Sequence, residues 1–162
     1  VCNKDDIKNI INNTTEILKK SEGNNPYIIH EELQNIMQDY VGIVRTGKEL
    51  NSGLEKLNKI KLDIENVFAP ASAQYNPGWN EAIDLNNLIV TSEAVTRAAI
   101  LREESRGAHT RLDFEGERED GLSYNIIIKK TKEGMLAEKI DRKSPPQELV
   151  KIAHASLKEL EG

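Results

Sequence analysis

The stretch from Glu81 to Glu104 runs without a glycine or a proline. Leu85, Leu88, Ile89, Ser92 and Val95 mark one face at spacings of three and four, and Ile83, Val90, Ala94, Ala98 and Leu101 mark another. A helix that is apolar most of the way round needs neighbours on most sides. The sequence therefore predicts a central helix beginning near Trp79, the most buried of the chain, with Leu88 or Val95 in the core. Ala94, Ala98 and Ala99 leave room for neighbouring helices to approach closely.

Those neighbours are legible upstream. From Lys4 to Lys20, Ile7, Ile10, Ile11, Ile17 and Leu18 recur with helical spacing around Thr14, which predicts a helix with one buried stripe. Gly23, Asn24, Asn25 and Pro26 interrupt it. Ile29, Leu33, Ile36, Met37, Tyr40, Val41 and Val44 resume the rhythm up to Gly47 and predict a second helix ending near Gly42. Leu50, Leu54, Leu57, Ile60 or Lys61, Ile64 and Phe68 form a third run, stopped by Pro70. Ala69 to Gly78 reads as a loop.

Past Gly107 the pattern changes. Arg111 to Gly121 is charged and irregular, and then Tyr124–Lys130 and Met135–Ile140 read as a small hairpin around Thr131, Lys132, Glu133 and Gly134. Ser144 stands as an N-cap ahead of Pro145 at the first helical position, with Gln147 as its capping-box partner. A short terminal helix follows through Leu149, Ile152, Ala153, Leu157 and Leu160. The expected fold is mostly α: a three-helix bundle over about residues 26–106 with an extra N-terminal helix, a small C-terminal β-hairpin extension and a short terminal helix. Residues 1–106 are then the helical bundle, and 107–162 the charged loop, hairpin and terminal helix packed on it, all in one structural domain.

Composition narrows function more than fold. The 22 Lys and Arg against 27 Asp and Glu give a formal charge of -5, which argues against nucleic acid as a partner. Aromatic residues at 4% are too few for a base-stacking platform. No apolar run approaches the ~20 residues of a membrane span, and no apolar leader opens the chain. The expectation is a cytoplasmic chain without direct membrane insertion. One cysteine, Cys2, supplies neither an internal disulfide nor a multi-cysteine metal site. An opening on Val1 fits a segment from inside a longer reading frame, and fits a chain with its Met removed equally well.

The candidate chemistry is thin. The ten glycines never stand two apart, so the chain carries neither a dinucleotide fingerprint nor a P-loop. Ser105, His109 and Asp113 suggest a triad, but nothing indicates a strand-to-helix elbow presenting the serine. His109 with Asp113 and Asp120 suggests a metal, yet one His among scattered carboxylates is more simply a salt-bridge network. His30 and His154 read as surface or boundary residues. No catalytic, cofactor-binding or metal-binding residue is assigned.

The informative segment runs from Arg102 to Phe114. It reads either as a solvated helix end with Gly107 as its left-handed cap, or as a docking surface built from Arg102, Glu104, Arg106, His109, Arg111 and Asp113. The use of Arg where Lys would serve solubility favours docking, because guanidinium forks suit fixed pairing. On that reading the partners of Arg106, His109 and Arg111 lie outside the chain, and Arg106→Ala leaves its stability nearly unchanged.

These residues carry a resemblance. Trp79, Ala82, Asp84, Leu85, Asn87 and Leu88, then Ala94, Arg97, Ala98, Ala99 and Arg102, then Glu104-Ser105-Arg106-Gly107-Ala108-His109-Thr110-Arg111-Leu112-Asp113-Phe114, resemble the C-terminal helical domain of succinate dehydrogenase and fumarate reductase flavoprotein subunits. Leu33, Gln34, Met37, Gly42, Arg45 and Leu50 fit the family's opening helices, and Pro145, Pro146, Glu148 and Leu149 its bacterial and archaeal tails. L-aspartate oxidase shares the Glu-Ser-Arg-Gly part but usually places a bulkier residue where Ala108 stands. The family normally continues Asp-Phe with Pro, Arg and two acids before a Trp. Here Glu115, Gly116, Glu117, Arg118, Glu119 and Asp120 follow, with Tyr124 near the Trp position.

The resemblance implies a parent that holds FAD, interconverts succinate and fumarate, and passes electrons to an iron-sulfur subunit in a complex peripheral to the inner face of the cell membrane. It places the FAD-binding and capping domains before this chain, which alone would be catalytically silent. Two other readings stand beside it: the C-terminal domain of an L-aspartate oxidase, and a free-standing helical adaptor whose Arg-rich helix end binds an acidic partner.

Overall fold

The structure is a computed structural model and describes residues 3–156. Helices α1 (Lys4–Lys19), α2 (Pro26–Val41), α3 (Gly47–Glu65) and α4 (Pro77–Leu101) make up the first part of the chain, with a two-residue strand β1 (Val44–Arg45) between α2 and α3. Strand β2 (Thr110–Arg111), a 3-10 turn at Glu119–Leu122, strands β3 (Tyr124–Thr131) and β4 (Gly134–Asp141), and helix α5 (Gln147–His154) complete it. This is the mostly α architecture with a small antiparallel hairpin that the patterning predicts.

Side-chain caps explain where the helices begin. Asn25 and Asn76 accept from the amides of Tyr27 and Trp79, each ahead of a proline whose missing N–H costs nothing in a first turn. Thr46 and Glu49 close a full capping box at the start of α3. Helices α2, α3 and α4 pack pairwise around Leu33, Ile36, Leu57, Ile60, Leu85 and Ile89, so Ile60 and not Lys61 faces inward. A second small cluster of Val41, Leu50 and Ala99 continues the seam toward the far end of α4. Trp79 Nε1 donates to the Thr14 carbonyl at 2.7 Å and ties α1 to the start of α4.

Helix α4 touches α1, α2, α3 and both hairpin strands, as a central helix must. Its buried seam is narrower than its apolar pattern: Ala82, Leu85, Ile89, Ser92, Glu93, Thr96 and Ala99 are buried, Leu88 is partly covered, and Val90 and Val95 are exposed. The expectation for Val95 is therefore corrected. Val95 borders an open depression between α4 and the hairpin, where the covering layer does not close over it.

Four further expectations change. The stripe of α1 is buried only at Ile17, while Ile7, Ile10 and Ile11 are exposed because α1 meets the bundle only toward its C-terminal end. Helix α3 stops at Glu65, before Pro70: the Asn66 amide turns back onto Asp63 and Ile64, and Val67 bridges in parallel to Asn24. Helix α4 ends at Leu101, and Gly107 does not cap it. Ser144 makes no cap and α5 begins only at Gln147, because Pro146 holds Pro145 away from helical geometry. Helix α5 buries none of its residues, and the expected helical positions Leu157 and Leu160 lie outside the described residues. Among the described residues no helix is long and apolar enough to cross a membrane.

Truncating the α4 seam tests this packing. Leu85→Ala, at a fully buried position, is expected to cost about 2–5 kcal/mol in chemical denaturation, and Val95→Ala no more than about 0.5 kcal/mol. Equal losses at the two positions would mean the bundle is assembled on a different face of α4.

Candidate functional site: a buried charge network at the end of α4

The chain leaves α4 at Arg102 and doubles back on itself within a few residues. Arg106 and His109 exchange backbone hydrogen bonds at 2.9 and 3.0 Å around Gly107 and Ala108. Gly107 has φ +59°, a left-handed conformation that glycine adopts without strain, so its role is this tight turn. The turn brings Thr110 and Arg111 alongside Val44 and Arg45, and β1 and β2 pair in parallel with Arg45 opposite Arg111. Ser105 is an internal brace. Its Oγ accepts from the Arg111 amide at 2.9 Å and donates to the Phe114 carbonyl at 2.9 Å.

Arg111 caps the helix in glycine's place. Its side chain is 3% exposed, and Nη1 donates to the carbonyls of Ala99 and Ile100 at 3.0 and 3.2 Å, which the end of α4 leaves without helical partners. Nε and Nη2 form a two-point pair with Asp113 Oδ1 and Oδ2, both at 2.8 Å. Asp113 Oδ2 also accepts from the Gly47 amide at 2.8 Å, at the first turn of α3. The pair thus lays a cation on the negative end of one helix and an anion on the positive end of another. Hydrogen bonding from Arg111, opposed by burial and aided by the Gly47 amide, holds the Asp113 carboxyl below its ordinary range.

Glu104 is the second centre, and its side chain is fully buried. Oε1 accepts from Arg102 Nη1 at 2.7 Å, and Oε2 from Arg106 Nε at 3.1 Å and the Arg118 amide at 3.0 Å. Burial pushes its pKa up. The Arg102 and Arg106 hydrogen bonds and the Arg118 amide outweigh that and bring it down to about 2. Arg102 also donates to the Gly121 carbonyl at 2.8 Å and lies over the Tyr124 ring. Arg106 reaches Glu117 at 2.7 Å and the Arg118 carbonyl at 3.0 Å.

Of the six residues singled out from sequence, Arg102, Glu104 and Arg106 thus form one cluster and Arg111 with Asp113 another, with His109 between them through its 2.9 Å contact to the Arg102 carbonyl. Arg106, His109 and Arg111 all find partners inside the chain, which corrects the expectation that those partners lie elsewhere. Desolvation, together with the surrounding Arg45, Arg111 and Arg102 charges, lowers the His109 pKa against the raising effect of that carbonyl. A neutral His109 donates its Nε2–H to Arg102. Ser105, His109 and Asp113 each face different partners and do not form a triad. Asp113 and Asp120 are taken by Arg111 and Arg118, and no cluster suited to a metal ion occurs among the described residues.

Three contributors escaped the sequence reading. Gly121 packs so closely on Glu104 that a Cβ there would overlap both carboxylate oxygens. Gly47 gives Asp113 its amide; the Thr-Gly-Lys-Glu capping box of residues 46–49 marks that helix start and was available as a signal. Glu93 is buried between Lys61 and Arg97, whose hydrogen bonds lower its pKa against the opposing effect of burial. No local pattern distinguishes it from an exposed helix glutamate.

Glu104→Gln is expected to cost about 3–5 kcal/mol, since it removes one partner of a buried ion cluster and leaves two guanidinium groups facing a neutral amide. A carboxyl whose pKa falls on folding binds its proton less tightly in the native state than in the unfolded chain. Its stabilisation is complete above pH ~4.5 and is lost as the pH falls toward about 2. Denaturation measured across that window should show a shallower acid loss in Glu104→Gln than in the parent chain, and identical slopes would contradict the assignment. Gly121→Ala is expected to cost about 1–3 kcal/mol by displacing the carboxylate, and a neutral result would show that the loop accommodates the methyl group.

Known proteins resemble this chain in sequence and in fold. The family model described as fumarate reductase flavoprotein C-term matches residues 30–153. An uncharacterized FAD-dependent oxidoreductase of Methanocaldococcus jannaschii is 38% identical over 72% of this chain and 20% of that protein. The succinate dehydrogenase flavoprotein subunit of Coxiella burnetii is 33% identical over 78% of this chain and 22% of its own length. An L-aspartate oxidase of Yersinia pestis is 39% identical over 51% of this chain and 15% of that protein. Among solved structures, the Mycobacterium smegmatis Sdh1 complex in the apo form superposes with a TM-score of 0.87 at 30% identity, covering 98% of this chain and 27% of that one. The chain spans about a fifth of the length of the curated relatives it matches. On the match over residues 30–153 and the shared fold, the chain belongs to the family of fumarate reductase flavoprotein C-terminal domains.

Proposed function

We propose that the chain is the C-terminal domain of an FAD-dependent flavoprotein subunit that interconverts succinate and fumarate, and that it has no activity alone. Its role there is to brace the preceding FAD-binding and capping domains and to stand near an iron-sulfur subunit, in a cytoplasmic complex peripheral to the inner face of the cell membrane. The surface offered to those domains is the loop held by Arg102, Glu104, Arg106, His109, Arg111 and Asp113. The observation that carries this reading is the internal saturation of that loop. Arg102, Glu104, Arg106, Arg111 and Asp113 are each held by groups within the chain, which makes the loop a rigid platform.

The residues present do not fit the pyrophosphate of FAD. Such a site needs a glycine-rich turn that aims free amides from a helix start. At the turn from β1 into α3, the Gly47 amide is already taken by Asp113, and the approach to α5 is through two prolines. No step is therefore assigned to flavin on this chain.

The purified chain is expected to be colourless and inert toward succinate. A stoichiometric flavin absorbance surviving gel filtration would overturn the assignment. The L-aspartate oxidase relatives give a second reading weight, and one assay on the full-length flavoprotein separates the two. Oxidation of succinate with an artificial electron acceptor supports the first reading, and oxidation of L-aspartate in its place supports the second.

A further inference from the structure

Arginines 102, 106, 111 and 118 are all matched to carboxylates within the chain. Arg45 is not. Its Nε is buried without a hydrogen-bond partner, and no carboxylate among the described residues forms an ion pair with it. Strand pairing places it opposite Arg111, so a second guanidinium stands beside it and not an acid. Burial and the Arg111 charge together pull its pKa below the usual guanidinium value, as expected of a cation lacking its counter-ion. An orphaned donor of this kind is unfavourable, and where nearly all the other buried side-chain polar atoms of the described residues are satisfied it marks a place completed from outside.

Arg45 borders a depression of about 570 Å³ between α4, the loop after it and β3. Val95, Ala98 and Ala99 line its α4 side, and Arg102, Arg106 and His109 edge it. The small alanines leave the space, and the exposed Val95 supplies apolar surface suited to the methylenes of an acidic side chain. Arg111 shows how this family of contacts is made: Nε and one Nη grip the two oxygens of Asp113 side by side.

We propose that this depression is a docking socket for an Asp or Glu side chain from the part of the flavoprotein outside this chain, with Arg45 as the principal donor. This rests on the reading of the chain as the C-terminal domain of such a protein. The occupant follows from charge complementarity and from proportion: about four-fifths of each matched relative lies outside the aligned region, so most of the surface able to supply the acid lies there.

The test has two arms. In the isolated chain, the Arg45 Nε–H resonance followed by 15N NMR should shift saturably with sodium acetate and not with sodium chloride at equal ionic strength. Equal responses to the two salts would overturn carboxylate recognition. Arg45→Gln should leave the thermal midpoint of the chain unchanged or raise it, since an unpaired cation beside Arg111 is removed, whereas a clear fall would make Arg45 an internal structural residue and overturn the proposal. In the full-length flavoprotein, hydrogen exchange of peptides covering 95–109 should be at least tenfold slower than in the isolated chain. Arg45→Gln should abolish that protection and Arg45→Lys restore part of it.

Protection unaffected by Arg45→Gln would overturn the docking role. An acetate response without protection in the full-length protein would assign the socket to a free carboxylate anion and overturn it as well. If exchange were identical throughout the full-length protein and the isolated chain, the domain reading itself would fail, and the acetate titration would still decide whether the socket recognises carboxylates.

Discussion

Arg111 makes two distant parts of the chain into one object. One guanidinium meets the open carbonyls at the end of α4 and the carboxylate of Asp113, which in turn holds the first amide of α3. Both helix ends carry unmatched backbone groups and partial charges of opposite sign, and the Arg111–Asp113 pair answers both. Lysine at 111 would keep the charge but lose the planar fork, and with it the two-point grip on Asp113 made while Nη1 holds the carbonyls. The parallel pairing of β1 with β2 sets the position of this side chain, and the turn at Gly107 makes that pairing reachable.

Glu104 depends on the same geometry. A carboxylate removed from water is costly, and two guanidinium groups with a backbone amide offset that cost only if all of them arrive together. They arrive from Arg102, Arg106 and Arg118, separated in sequence by a loop that has little apolar surface of its own. The cluster therefore acts as the core of a region that lacks a hydrophobic one. Gly121, without a side chain, is what lets the 3-10 turn close over the carboxylate.

The helices were legible because period and caps agree with burial along most of their length. Ile29, Leu33, Ile36 and Leu57, Ile60, Ile64 are both the apolar repeat and the observed core. The failures share a cause. Val95 and the isoleucines of α1 have the right period, yet burial depends on what covers a face, and periodicity on one helix does not report it. Gly107 has the right composition for a cap, but an arginine four residues later takes the carbonyls instead. The six charged residues were marked by their density and by Arg in place of Lys. Which acid each arginine holds was set by the fold-back at Gly107 and by β1, a strand of two residues that leaves no periodic trace. Arg45 was visible only as part of a family pattern, and its missing partner emerges from the three-dimensional arrangement alone.

On the docking role proposed above, this motif works by position and not by proton transfer. A general acid or base is most effective with a pKa near the working pH. Glu104 is held at about 2 and Asp113 below its ordinary range, so both stay ionised near neutrality. His109 is shifted downward and stays neutral, with its Nε2–H directed at a backbone carbonyl. Ser105 is occupied on both sides by backbone groups of its own loop. The shifts of Glu104 and Asp113 come from hydrogen bonds that also fix the backbone. Charge density is put to use here as rigidity, and a rigid helix end is what a domain needs if its part is to hold other domains in register.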